Sequence, residues 1–168
     1  MQTEWMGRYR PLVAVLVQHS NITARAASHS NEIGEGVFLN TVSWQVLEYL
    51  IEHRDDASCM THIHEALGIP QSSFSKIARQ LTDLGLVERY QSTANRKNII
   101  LKPSEKALRL YRSFSQRIYE KDFQSFFQDL DALDDDSLAV VISALQAFNR
   151  KLCSLTEPQR PAALVKKE

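Results

Sequence analysis

Three serines, a lysine, an arginine and two glutamines crowd into the ten residues Gln71-Ser72-Ser73-Phe74-Ser75-Lys76-Ile77-Ala78-Arg79-Gln80. Hydroxyls, carboxamides and cations are the groups that hydrogen-bond base edges and phosphate oxygens. At about 100° per residue, Phe74, Ile77, Ala78, Leu81 and Leu84 gather on one side of a helix. Ser72, Lys76, Arg79 and Asp83 fall on the opposite pole, with Ser75 and Gln80 flanking it. The stretch predicts a helix that buries one face and turns polar groups outward. Other clusters offer other chemistry. His53, Cys59, His62 and His64 are residue types that ligate zinc or nickel. On a short helix, however, His62 and His64 point about 200° apart, so no metal site and no cofactor is expected. Cys59 and Cys153 are candidates for redox sensing, but Cys153 lies on the apolar side of its helix and reads as a small hydrophobe. There is no glycine-rich phosphate loop, nucleophile elbow or paired carboxylate arrangement, so an enzyme is not expected.

Charge is distributed unevenly, as a face that meets a polyanion would require, although ordinary solvated helix faces give the same pattern and charge alone favours them. The 168 residues carry 20 basic and 20 acidic side chains, a formal net charge of zero. Between Gln71 and Lys102, six cations (Lys76, Arg79, Arg89, Arg96, Lys97, Lys102) face only Asp83 and Glu88. Between Glu120 and Asp136, seven carboxylates face Lys121 alone. A neutral total therefore conceals a basic middle and an acidic later segment. The longest apolar run, Leu12–Val17, is far too short for a membrane span of about 20 residues. The opening residues lack the pattern of a secretory leader. Two cysteines make no disulfide framework, so a cytoplasmic protein is expected.

Apolar period supplies the elements that must carry these groups. A first helix is predicted over residues 8–27, on Leu12, Val13, Leu16, Val17 and Ile22, followed by a loop at 29–40. Thr41 is the predicted cap of a second helix bearing Trp44, Val46, Leu47, Leu50 and Ile51. A short third helix at 60–67 stops at Gly68, and after Ile69-Pro70 the polar helix runs from 71 to 84. Residues 86–91 and 98–102 pair as a hairpin around the polar turn 92–97. Ser104 caps a long helix with Leu108, Tyr111, Phe114, Ile118, Phe123, Phe126, Phe127 and Leu130 on one stripe. A last helix starts at Asp134-Asp135-Asp136, where carboxylates suit the positive N-terminal dipole, and residues 157–168 read as a disordered tail. Two short helices, a tight turn and a basic-tipped hairpin make a winged helix-turn-helix.

The stretch from Leu47 through Ala107 resembles the MarR family of bacterial transcription regulators. The matching residues are Leu67-Gly68-Ile69 at the turn, Ser72-Ser73-Phe74-Ser75-Lys76 opening the recognition helix, and Leu81-Thr82-Asp83-Leu84-Gly85-Leu86-Val87-Glu88-Arg89 leading into the hairpin. Asn95-Arg96-Lys97, Ser104-Glu105-Lys106-Ala107 and the later Leu130–Leu138 segment continue the likeness, which covers residues 8 to 155. Three positions depart from it: Asn95 where the family usually has Asp, Ala107 in place of Gly, and His64 in place of a small Ala.

The resemblance implies a mainly α, single domain over residues 8–155. Residues 41–102 would form the DNA-binding lobe, and residues 8–27 and 104–155 the helices that pair two chains. It also implies a recognition helix in the major groove and a wing, with Arg96 at its tip, in the minor groove. On this reading Gln71, Ser72, Ser73, Ser75, Lys76, Arg79, Gln80, Arg89, Arg96 and Lys97 contact double-stranded DNA. Trp44, Tyr111 and Phe114 either line a pocket for a small-molecule effector of a homodimeric repressor or are plain core. The alternatives are a metal- or redox-sensing regulator of the same fold, or a winged-helix module that binds protein and not DNA. The cations Arg79, Arg96 and Lys97 weigh against the last, because a protein-binding module has no need of cations at both phosphate-facing positions.

Overall fold

A computed structural model of the protein describes residues 3–55, 60–91 and 99–156. The predicted wing tip, with Arg96 and Lys97, lies outside the described residues, as do Cys59 and the tail at 157–168. Two compact units divide the chain, Met1–Arg117 and Ile118–Glu168.

In the first unit, a short 3-10 stretch, Thr3–Tyr9, leads into α1 (Arg10–Ala26). Residues 29–40 are not the loop that their serine, asparagine and glycine content predicts. They form an antiparallel hairpin, β1 (Ser30–Gly34) with β2 (Val37–Asn40), in which Asn31 faces Leu39 and Glu32 faces Phe38. Burial of Ile33, Val37 and Leu39 holds it in place. Glu35 (φ 52°) and Gly36 (φ 69°) turn the chain, and the Gly36 N–H donates to Glu32 Oε1 at 3.1 Å. Gly34 sits at φ 125°, and a Cβ there would meet Leu110 Cδ2 at 3.0 Å, so glycine is what lets the hairpin lie this close to the helix beneath it.

Helix α2 (Thr41–Glu52) starts one residue earlier than predicted. Asn40, not Thr41, is its cap, with Oδ1 accepting from the Ser43 N–H at 2.8 Å. Helices α3 (Met60–Ala66) and α4 (Gln71–Asp83) follow. Between them Gly68 takes φ 64° while the Ile69 N–H donates to the His64 carbonyl at 2.9 Å, a glycine-terminated helix end of the predicted kind. Strands β3 (Val87–Gln91) and β4 (Ile99–Pro103) pair antiparallel with Arg89 opposite Leu101. Helix α5 (Glu105–Ile118) is capped by Ser104, whose Oγ accepts from the Ala107 N–H at 3.2 Å. The core of this unit joins Val46, Leu47 and Leu50 of α2, Ile63 of α3, and Phe74, Ala78 and Leu81 of α4. Leu86, Val87 and Leu101 add the base of the hairpin, and Ala107, Leu110 and Phe114 add α5.

In the second unit the predicted long helix is interrupted. Tyr119–Phe123 forms a π-helical turn before α6 (Gln124–Leu130). The wider turn brings Tyr119 and Phe123 to Phe127, with ring centroids 6.1 and 5.5 Å away. Helix α7 (Asp135–Thr156) is capped by Asp134, whose Oδ1 accepts from the Ser137 N–H at 2.7 Å; hydrogen bonding from the Ser137 side chain first, and then from this N–H, holds its carboxyl below the ordinary pKa. No helix among the described residues is long and apolar enough to cross a membrane.

Phe74 is the largest side chain fully buried in the first unit, at 1% exposure. Phe74→Ala is therefore expected to lower unfolding free energy by about 3–5 kcal/mol, and Ser72→Ala to change it by less than about 0.5 kcal/mol. Urea titration at one fixed protein concentration tests both. Equal small effects would mean that α4 is not docked by this face.

Candidate nucleic-acid interface

Helix α4 begins on Pro70, whose carbonyl accepts from the Ser73 and Phe74 N–H groups at 2.9 and 3.0 Å. Proline suits this place because its missing N–H is one that a helix start leaves unused. With Phe74, Ala78 and Leu81 buried, Gln71, Ser72, Ser73, Ser75, Lys76, Arg79 and Gln80 are all exposed. Every predicted contact residue of this helix thus lies on its solvent side. Two of them are already engaged: Ser75 Oγ donates to the Gln71 carbonyl at 3.0 Å, and Gln80 Oε1 accepts from Ser43 Oγ at 3.3 Å. Among the described residues neither Lys76 nor Arg79 is ion-paired, so both cations are available to an anionic ligand.

The hairpin is tied to the rest of the lobe at its base. Ser104 Oγ donates to the Gly85 carbonyl at 2.7 Å, its N–H donates to the Leu86 carbonyl at 2.9 Å, and Lys106 Nζ donates to the Leu84 carbonyl at 3.2 Å. These bonds join the end of α4, the start of β3 and the start of α5. Arg89 is exposed on β3, and Glu88 lies opposite Lys102 across the ladder. Tyr90 Oη hydrogen-bonds the Glu88 carboxylate, which raises the tyrosine pKa.

The three aromatic residues predicted to line a pocket are brought together between α2 and α5. Trp44 stacks on Tyr111 (centroids 5.3 Å apart, planes at 14°) and meets Phe114 edge-on at 4.6 Å. Two partners of this cluster were not legible as site residues. Glu48 accepts from Tyr111 Oη at 3.1 Å, and Arg117 lies over the Phe114 ring at 4.8 Å while donating to the Glu32 carbonyl at 2.8 Å. Glu48, one turn after Trp44, was the available signal, since a half-buried tyrosine hydroxyl needs an acceptor. Burial raises the Glu48 pKa, and the nearby Glu52 adds to it, against the lowering effect of the Tyr111 bond.

Of the candidate metal ligands, His53 and His64 make packing contacts. His53 stacks on Tyr49 at 4.0 Å with Nδ1 2.9 Å from the Tyr49 carbonyl, and His64 lies half-buried with its ring 6.4 Å from that of Phe74. The side chains of His62 and Cys153 lie outside the described residues, and among those described no three His, Cys, Asp or Glu residues converge on a metal position.

Residues 39–97, from β2 through α2, α3, α4 and β3 toward the wing, match the profile of the MarR family. Over these residues the winged-helix lobe carries the sequence pattern of this family. MarR-family structures also share the wider fold. MepR of Staphylococcus aureus, solved as a DNA complex, is 16% identical over 83% of this chain and 96% of its own, with a TM-score of 0.63. ZitR of Lactococcus lactis, a zinc-responsive MarR family member, is 17% identical over 85% of this chain and 97% of its own, with a TM-score of 0.58. PcaV of Streptomyces coelicolor, a transcriptional regulator solved with its natural ligand, is 16% identical over 89% of this chain and 97% of its own, with a TM-score of 0.59. At these identities the likeness is one of fold. No curated protein matches the sequence.

The aromatic cluster has a titration signature. Burial first, then the charge and hydrogen bond of Glu48, then the charge of Glu52, push Tyr111 from 10.0 up to about 12. The folded state holds this proton more tightly than the unfolded chain does. Its contribution is thus complete below pH 10 and is lost as pH rises toward about 12. Tyr111→Phe is expected to flatten the fall of stability across that interval, measured by urea unfolding at a series of pH values. Parallel curves for the two proteins would contradict the Glu48–Tyr111 pairing.

Proposed function

We propose that the protein is a cytoplasmic, sequence-specific DNA-binding regulator that acts as a homodimeric repressor and releases its operator when a small molecule binds. The exposed polar face of α4 carries this reading, because three hydroxyls, two carboxamides and two free cations lie on one helix docked by the opposite face. Such a helix fits the major groove, where side chains read base edges. Arg89 and the predicted wing residues Arg96 and Lys97 add cations beyond its end for the phosphate backbone. That the MepR structure is a DNA complex supports the same use of the fold.

A second chain is the natural cover for apolar surface that one chain leaves bare. Helix α1 has no buried residue, and Leu12, Val15, Val17 and Ile22 are each about half exposed. On α7, Val140, Val141, Ile142, Leu145 and Phe148 are exposed as well. Exposed apolar patches of this kind mark association surfaces. A two-fold dimer would present two copies of α4 to half-sites about one DNA turn apart. The effector is proposed to engage Trp44, Tyr111 and Phe114, whose rings join α2, the helix packed under α4, to α5.

Three measurements check the reading. At micromolar protein, sedimentation should give a species of twice 19.2 kDa, and a monomer alone would contradict the dimer. Against a panel of single-base operator variants, Arg79→Ala should lose discrimination at one base pair by roughly 5- to 150-fold, as a bidentate arginine–guanine contact requires. Arg96→Ala and Lys97→Ala should weaken binding to all sequences and reduce the salt slope by about one unit for each phosphate no longer neutralised. If Arg79→Ala loses affinity evenly at every operator, Arg79 touches phosphate and the bases are read by other residues.

A further inference from the structure

Ser43 is the only buried polar residue among those described, at 0% exposure. A buried hydroxyl is costly unless it is hydrogen-bonded, and this one donates to a side chain 37 positions away, Gln80 Oε1 on α4, at 3.3 Å. Ser43 is itself fixed, since its N–H is bound by the cap residue Asn40 at 2.8 Å. Gln80 is exposed and flanks the outward pole formed by Ser72, Lys76 and Arg79. One end of the Gln80 carboxamide is therefore held to α2 while the residue stands at the edge of the candidate DNA face.

The consequence concerns which bases Gln80 can read. A glutamine recognises adenine by using both ends of its amide, accepting from N6 and donating to N7. That needs oxygen and nitrogen aimed together at the base. We infer that Ser43 is a positioning residue that holds the Gln80 oxygen toward α2, so that Gln80 meets DNA through its NH2 group alone. A donor-only glutamine favours bases that present acceptors, guanine through N7 and O6 or thymine through O4, and not the bidentate adenine contact. This inference rests on the DNA-binding reading above and adds a specificity-determining pair that spans α2 and α4.

The experiment uses the full chain and a sequence selected by the wild-type protein from a random DNA pool, followed by a single-base panel. Ser43→Ala frees the carboxamide and is expected to shift preference toward adenine at one base pair by roughly three- to tenfold, the worth of one hydrogen bond. Binding to non-selected DNA should not change. Gln80→Ala should affect the same base pair, and Ser43→Ala should add nothing in the Gln80→Ala background. Gln80→Glu keeps an acceptor for Ser43 but lacks the donors. It should move preference at that base pair toward cytosine or adenine, and it serves as the test if Ser43→Ala proves unfolded by circular dichroism. The inference is overturned if Ser43→Ala or Gln80→Glu keeps the wild-type base profile, if the Ser43 and Gln80 effects add, or if affinity falls evenly on all DNA. A wild-type protein that selects no sequence would overturn the DNA-binding reading itself, and this inference with it.

Discussion

A thirteen-residue helix can keep only one face dry, and the rest of this lobe depends on which face that is. Phe74, Ala78 and Leu81 of α4 are at most 1% exposed, against a core that includes Leu47, Ile63 and Leu86. Burying those three side chains stabilises the lobe by several kcal/mol at ordinary transfer energies. Because side chains repeat at about 100°, the same burial leaves the polar residues no place but the surface. Recognition chemistry is therefore a by-product of packing: the helix cannot roll to hide Lys76 or Arg79 without exposing Phe74.

The second constraint is at the junction of α4, the hairpin and α5. Ser104 and Lys106 together satisfy the carbonyls of Leu84, Gly85 and Leu86, where helix and strand meet and neither ladder can do so fully. Three consecutive carbonyls bound by two side chains and one N–H give the base of the wing a fixed exit direction. Further along α5, the hairpin β1–β2 is fastened through Arg117 to the Glu32 carbonyl and through Arg109 to Glu35 at 3.8 Å. The exposed Arg109–Glu35 pair adds little by itself. The close approach at Gly34 is the more restrictive contact.

Much of this was legible in the sequence, and the reasons differ by element. The faces of α4 followed from period alone, because an amphipathic helix docked on one side has no other solution. The turn at Gly68 and the cap at Ser104 followed from residue chemistry. The hairpin at 30–40 was obscured because serine, asparagine and glycine dominate it, and its three core residues, Ile33, Val37 and Leu39, are too few to show a period. The cap of α2 was misplaced by one residue, as Asn40 and Thr41 are both good caps and only the chain's direction decides between them. The π turn did leave a trace: Leu110, Phe114, Ile118, Phe123 and Phe127 step by four, four, five and four. The Ser43–Gln80 bond left none, because no local rule connects residues on separate helices. Tyr111 and Phe114 pointed to Trp44 by type, whereas Glu48 and Arg117 entered only through geometry.

The chain has two tryptophans, and their surroundings could hardly differ. Trp5 is 81% exposed, while Trp44 lies face to face with Tyr111 and edge-on to Phe114. Rings held at 5.3 Å and 14° have optical transitions that couple in a fixed, handed arrangement, whereas a ring in solvent averages its environment away. The tryptophan part of the near-ultraviolet circular dichroism and the blue edge of the tryptophan fluorescence are therefore expected chiefly from Trp44, and the red edge from Trp5. The protein carries a built-in optical gauge of the α2–α5 contact, readable without any label, with its own solvent reference on the same chain.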